Sequence, residues 1–334
     1  MNEPFTDDAQ RAILAPITFS PVYIEKVWGG RRIAQYRTDI PEGPIGESWD
    51  IADHPNGMSV VDVGPFAGRT LRELTKQFGA RLVGAGFSGG DFPLLVKLLH
   101  ANTRLSVQVH PDDTLAREME VAERGKTECW LMLGDEGELY VGVKDGVDQD
   151  TFREALEGGE VERVLNRFMT SAGDFIFLDA RTVHALGNNC LLYEVQQTCD
   201  ITFRVWDWGR VGLDGNPRPL HIEESLKSID FNRTDVGPIQ PEWRPHPQAG
   251  EYRTLADCRY FTVEERRGEL AVGGDSAACS IVVALDGTGE LHTRGGAVSL
   301  TPTRSVLVSA EAGEWHVRSH GGPLRLLIAR PHFD

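Results

Sequence analysis

"LSVQVHPDD", Leu105 to Asp113, alternates apolar and polar residues until a proline stops it. A period of two is the signature of a β-strand, so Leu105, Val107 and Val109 take one face while Ser106, Gln108 and His110 share the other. Taken alone, such a strand has a core face and a wet face. Two residues further along the chain change that reading. Glu128 stands in "GKTECWLML", just ahead of an apolar strand-like run, and His184 stands in "LDARTVHALGNN", a turn that follows the strand "DFIFLDA". Gln108, His110, Glu128 and His184 together make a mixed nitrogen and oxygen donor set that suits zinc or another borderline divalent ion. Only three of the four are strong ligands, which leaves a position open to water or substrate, as in catalytic rather than structural sites.

The rest of the chain bounds what such a site can serve. The 334 residues suffice for one large or two moderate domains with real cores. The formal net charge of −16 and the lack of a basic stripe speak against a nucleic-acid partner. No apolar run reaches eighteen residues and no charged-then-apolar leader opens the sequence, so neither a membrane span nor a secretory signal is expected. The five cysteines, at 129, 190, 199, 258 and 279, have no CxxC spacing and read as thiols in a reducing cytoplasm. No feature assigns an oligomeric state.

Along the chain, residues 1–15 read as a flexible N-terminus and 16–236 as a β-rich domain with helical insertions at about 69–84 and 150–170. In "RTLRELTKQFGARLVG", Leu71, Leu74 and Phe78 form one helical stripe. In "TFREALEGGEVERVLNRFM", Val161, Val164, Leu165, Phe168 and Met169 fit the i, i+3, i+4, i+7, i+8 pattern of a helix. A Pro-rich stretch, 237–249, reads as a hinge, and 250–334 shows the short runs and Gly-rich turns of a smaller all-β domain. Histidines 292, 316, 320 and 332 are scattered there and suggest no metal site.

The strings "FPLLVKLLHANTRLSVQVHPDD", "GKTECWLML" and "RTVHALGNNCLLYEVQQTCDITFRVWDWGR" resemble the type I mannose-6-phosphate isomerases in their shorter bacterial form, as do "WGG" at Trp28 and "GESWDIADHPNG" at Gly46. The resemblance covers most of residues 17–225 and fades after the Pro-rich stretch. It implies a mainly β, double-cupin fold, with two β-barrel domains and a helical insertion in the first. It places one zinc ion per chain on Gln108, His110, Glu128 and His184, and a catalytic arginine at Arg204. Cys199 and Phe203 depart from the serine and tyrosine usual in relatives, which touches fine substrate contacts and not the reaction type.

The chemistry implied is aldose–ketose isomerisation of a sugar phosphate, mannose 6-phosphate to fructose 6-phosphate, through a cis-enediol. A metal stabilises the enediolate charge as a Lewis acid, and a base with a suitable pKa shuttles one proton between carbons. Lys126 and Glu194 both qualify for the shuttle, and the sequence does not choose between them. Arg204 carries a fixed planar charge for an enediolate or phosphate. Lys97 and Ser106, flanking the first ligand, are candidate phosphate contacts. Against these stand plainer roles: Glu194 as an inward residue satisfied by Arg204, Lys97 as a snorkelling strand residue, Ser106 as a solvent-facing one. The competing functions are a cupin isomerase for another sugar phosphate or a free sugar, and a non-catalytic sugar-phosphate-binding regulator. An intact proton-transfer set argues against the regulator.

Overall fold

The computed structural model describes residues 11–333. Most of the expected N-terminal tail therefore lies outside the described residues, but Ala12 and Ile13 are buried. The fold is mainly β, built from antiparallel sheets. Its chain packs into two units, one of residues 23–48 and 96–240, the other of residues 11–22, 49–95 and 241–333. The chain thus passes between units at four places, where the sequence suggested one hinge at 237–249. The reason is long-range pairing: Ile17–Ser20 is hydrogen-bonded in register to Ser305–Val308 on one side and Val60–Val61 on the other. Composition carries no trace of partners so far apart. The Pro-rich stretch itself is engaged, since Ile239 exchanges two 2.8 Å backbone hydrogen bonds with Phe175.

Eleven strands lie wholly or mainly in the first unit, numbered in chain order: β1 Val22–Gly30, β2 Ile45–Ile51, β3 Leu94–Ala101, β4 Val107–Val109, β5 Glu128–Met132, β6 Gly137–Val143, β7 Leu165–Thr170, β8 Phe175–Leu178, β9 His184–Leu186, β10 Cys190–Gln197 and β11 Phe203–Trp206. They form a six-stranded sheet, β8-β5-β10-β3-β2-β1, and a five-stranded sheet, β7-β6-β9-β4-β11. One apolar cluster draws on both sheets, among them Leu99, Trp130, Ile176 and Leu192 from the first and Leu139, Val141 and Leu186 from the second. A second cluster joins Val107, Val109, Phe203 and Val205 to Phe152 and Leu226 on the helices Gln149–Glu157 and Ile222–Ser228. The five-stranded sheet is therefore covered on both faces. Val107 and Val109 of "LSVQVHPDD" pack under helices and Gln108 looks into the space between sheets, whereas Leu105, expected on the same face as the valines, lies before the strand begins and joins the first cluster instead.

The helix Gln149–Glu157 is capped by Asp148, whose carboxylate accepts from the Thr151 N–H at 2.8 Å, and it ends at Gly158–Gly159, the latter at φ +69°. Here the expected helix to 170 is wrong. Val161–Val164 is a single 3₁₀ turn and Leu165–Thr170 is β7, paired to β6, with Met169 mostly exposed. A 3₁₀ turn shares the i, i+3 spacing of an α-helix, so the periodicity was real over its first half only. The other expected helix forms as Leu71–Phe78 and Ala80–Val83, split at Gly79, and opens with a Thr70/Glu73 capping box.

The second unit has an eight-stranded sheet and a four-stranded one, with Val282, Val306, Leu326 and Ile328 from the first and Leu291, Leu300, Trp315 and Val317 from the second in one apolar cluster.

Candidate active site and metal centre

Register places the site. Val141, His184, Gln108 and Arg204 stand directly opposite one another on β6, β9, β4 and β11, so their side chains share one face of the five-stranded sheet. Val107 and Val109 face the helices, so this row projects inward. On the six-stranded sheet, Glu128 is opposite Gln196 and Trp130 is opposite Glu194.

His110, Glu128 and His184 are all buried, with ligand atoms within 4.8 Å of one another. His110 Nδ1 lies 2.7 Å from the Ile201 carbonyl oxygen and His184 Nδ1 lies 2.9 Å from that of Thr182. A carbonyl only accepts, so both Nδ1 atoms carry the proton and both Nε2 lone pairs turn inward. Burial keeps the rings neutral. It lowers His184 to about 4 and, helped by the Lys126 charge, holds His110 well below the usual imidazole value. Glu128 Oε1 lies 3.3 Å from His184 Nε2 and 3.8 Å from His110 Nε2, and no hydrogen-bond donor reaches it. Gln108 presents its amide to His184 Nε2 at 3.2 Å. Inward lone pairs and a buried carboxylate oxygen without a donor form a cage that a divalent cation satisfies. The residues fit such an ion.

A ladder of alternating charge runs behind the cage. Lys126 Nζ lies 2.6 Å from Glu128 Oε2, 3.3 Å from His110 Nε2 and 4.0 Å from Glu194 Oε1. Lys97 Nζ lies 3.2 Å from Glu194 and 3.6 Å from Glu47, which in turn pairs with Lys26 at 3.2 Å. Trp130 donates its indole N–H to Glu194 at 2.9 Å. Burial alone would depress the Lys126 and Lys97 ammoniums, yet carboxylates outweigh it: Glu128 and Glu194 for Lys126, Glu194 and Glu47 for Lys97. Both lysines are held above the usual range. Burial would raise Glu194, but Lys97 and Lys126 outweigh it and hold it below the usual carboxylate range. For Glu128 burial wins over Lys126 and pushes the carboxyl up to about 7.

All nine residues singled out in the sequence belong to this unit. Glu194 is satisfied by Lys97 and Trp130 rather than by Arg204. Lys97 does not snorkel; it is buried between two carboxylates. Ser106 is buried, not solvent-facing. Arg204 donates through Nη1 to the Pro219 carbonyl at 2.8 Å, and its Nε has no partner. Burial, then the neighbouring Arg218 and Arg210, make its charge harder to hold. Those two arginines, which bracket Asp207, and Glu47 were missed from sequence. Glu47 sits in the quoted "GESWD", and only its partner Lys97, fifty residues on, gives it meaning.

With this geometry in hand, comparison with known proteins is decisive. Mannose-6-phosphate isomerase ManA of Bacillus subtilis is 37% identical over 254 residues, covering 74% of this chain and 78% of that protein. The chain belongs to the type I phosphomannose isomerase family. The family model described as "Phosphomannose isomerase type I, catalytic domain" matches residues 17–152. The mannose-6-phosphate isomerase of Streptococcus mutans is 37% identical over 241 residues, 72% of this chain and 74% of its own. A crystal structure of the mannose 6-phosphate isomerase from Bacillus subtilis superposes with a TM-score of 0.86 at 30% identity, over 94% of this chain and 99% of that one. The family fixes the class of activity as isomerisation, and the buried His/Glu/His trio is its possible metal site.

Proposed function

We propose that the chain interconverts mannose 6-phosphate and fructose 6-phosphate, with one zinc ion held by His110, Glu128 and His184 and with Gln108 as the fourth donor. The observation that carries this reading is the cage itself, in which two inward Nε2 lone pairs meet a carboxylate oxygen that no donor reaches. When bound, zinc supplies Lewis-acid stabilisation of the negative charge that develops on the sugar oxygens. The chain's own groups do the rest. Glu194, kept ionised by Lys97 and Lys126, is in the form that accepts a proton, and Lys126, kept charged by Glu128 and Glu194, is in the form that donates one. Arg204 shares the inward row and offers an unpaired Nε–H to an anion. With Arg210 and Arg218 around the single Asp207, it supplies the excess positive charge that a phosphate needs in a chain of net charge −16. Ser106, buried directly before β4, adds a neutral donor. Lys97 acts chiefly on Glu194, because both neighbouring carboxylates already answer its charge.

Among the described residues no helix is long and apolar enough to cross a membrane. Five cysteines present as thiols rather than disulfides support a reducing, cytoplasmic setting for this small-molecule chemistry. The test is a coupled assay for fructose 6-phosphate from mannose 6-phosphate, with glucose 6-phosphate and free mannose alongside, before and after chelation. Turnover of mannose 6-phosphate that is lost on chelation and restored by zinc supports the reading. Full turnover in strong chelator, or preference for another sugar, overturns it.

A further inference from the structure

The second unit holds a cavity of about 530 Å³, within the range of small-molecule sites. Thr262 and Glu264 stand directly opposite Arg330 and Ile328 on the neighbouring strand, so all four share a face, and Arg266 continues it by the two-residue period. Ile328 belongs to the apolar cluster drawn from both sheets, so this is the interior face, and Trp315 contributes from the four-stranded sheet. The cavity is the mouth of the second barrel. It carries none of the chemistry of the first: the described residues place no His/Cys/Asp/Glu trio of metal-binding geometry here.

Two observations say what would fill it. The formal charges lining it cancel, since Arg266 Nη2 pairs with Glu264 Oε2 at 2.9 Å and Arg330 Nη2 pairs with Asp275. The polar groups left over are donors: Trp315 Nε1–H, on a side chain 2% exposed, and Arg330 Nε–H are both buried without an acceptor. Gly274 packs closely on the indole edge, where a Cβ would sit 2.9 Å from Trp315 Nε1 and crowd the donor. A buried donor without an acceptor is costly, and a ligand that brings one relieves the cost. We propose that this barrel mouth is a second ligand site, for a small neutral polyhydroxylated molecule of the monosaccharide class. Hydroxyls accept from the indole and guanidinium N–H groups and donate to Glu264 or Asp275, while the C–H faces of a sugar ring pack on Ile328 and Phe333.

The test is ligand-observed NMR on the full chain with mannose, glucose and fructose as probes and inorganic phosphate as the anionic comparison, repeated with Trp315→Phe and Arg330→Lys. At least one sugar should bind the parent chain, and each variant should weaken it about tenfold, the loss of one hydrogen bond to a neutral partner, while isomerase turnover holds. Should Trp315→Phe fold poorly, Arg330→Lys carries the same comparison. No sugar bound, sugar affinity untouched by both variants, or phosphate bound in preference each overturns the proposal. Because turnover is read separately, failure here leaves the isomerase reading standing.

Discussion

Lys97 Nζ lies 3.2 Å from Glu194 Oε1, with both side chains only 4% exposed. A pair this dry holds together through its neighbours: Glu47 answers Lys97 from one side and Trp130 answers Glu194 from the other. Removing the lysine takes the shared cation from between two buried carboxylates, leaving Glu194 with Lys126 at 4.0 Å and Glu47 with Lys26 at 3.2 Å.

Lys97→Ala should therefore lose about 3–5 kcal/mol of stability, read from the urea midpoint, and lose turnover with it. A variant that keeps the parental midpoint and only raises KM for mannose 6-phosphate would show that Lys97 serves the phosphate instead.

Ligand and arginine should separate cleanly. His184→Ala should lose metal and activity together, since a site deprived of one strong ligand binds far more weakly. Arg204→Ala should retain metal and lose turnover, because it removes positive charge from the inward row. Elemental analysis beside kinetics decides it: metal lost from the Arg204 variant would make that residue structural.

Ser106 is a buried hydroxyl directly before β4, two residues from Gln108. Ser106→Ala should raise KM for mannose 6-phosphate roughly 10- to 100-fold, the loss of a hydrogen bond to a charged group, with kcat little changed. Equal losses on free mannose would place the phosphate elsewhere.

His100 gives a pH prediction away from the metal cage. Its ring packs where Gly30 has no side chain, a Cβ there falling 2.4 Å from His100 Cε1, and burial followed by the Arg32 charge lowers it to about 4. The unfolded chain takes up that proton from about pH 6.5 downward while the folded chain resists it to about 4. Stability from this residue is thus complete above pH 6.5 and is lost as pH falls toward 4, on the order of 3 kcal/mol in all. Urea titrations of the parent and of His100→Leu between pH 4 and 7 should show a steeper fall in the parent, and parallel curves would refute it.

What could be read in the sequence was local. The alternation around Gln108 and His110 places both on one face because a strand has no other way to arrange them. The helix after Thr70 follows from its capping pair and stripe. What could not be read was pairing at a distance: Glu47 with Lys97, Arg218 with Asp207, Ile17 with Leu307. Nor could the break after Glu157, where one apolar series serves first a 3₁₀ turn and then a strand.

The Ser309 hydroxyl donates at 2.6 Å to the Ile13 carbonyl, 296 residues earlier in the chain. On a ribosome adding 5–20 residues per second, the buried isoleucine waits roughly 15–60 s for that partner to be made. Its neighbour Ile17–Ser20, a strand with three buried residues, waits as long for Ser305–Val308. Meanwhile residues 23–48 and 96–240 have already left the exit tunnel and can close the sheets around the His110, Glu128 and His184 trio. During synthesis the catalytic half can mature first, with the opening segment of the polypeptide held in reserve until the last strands emerge.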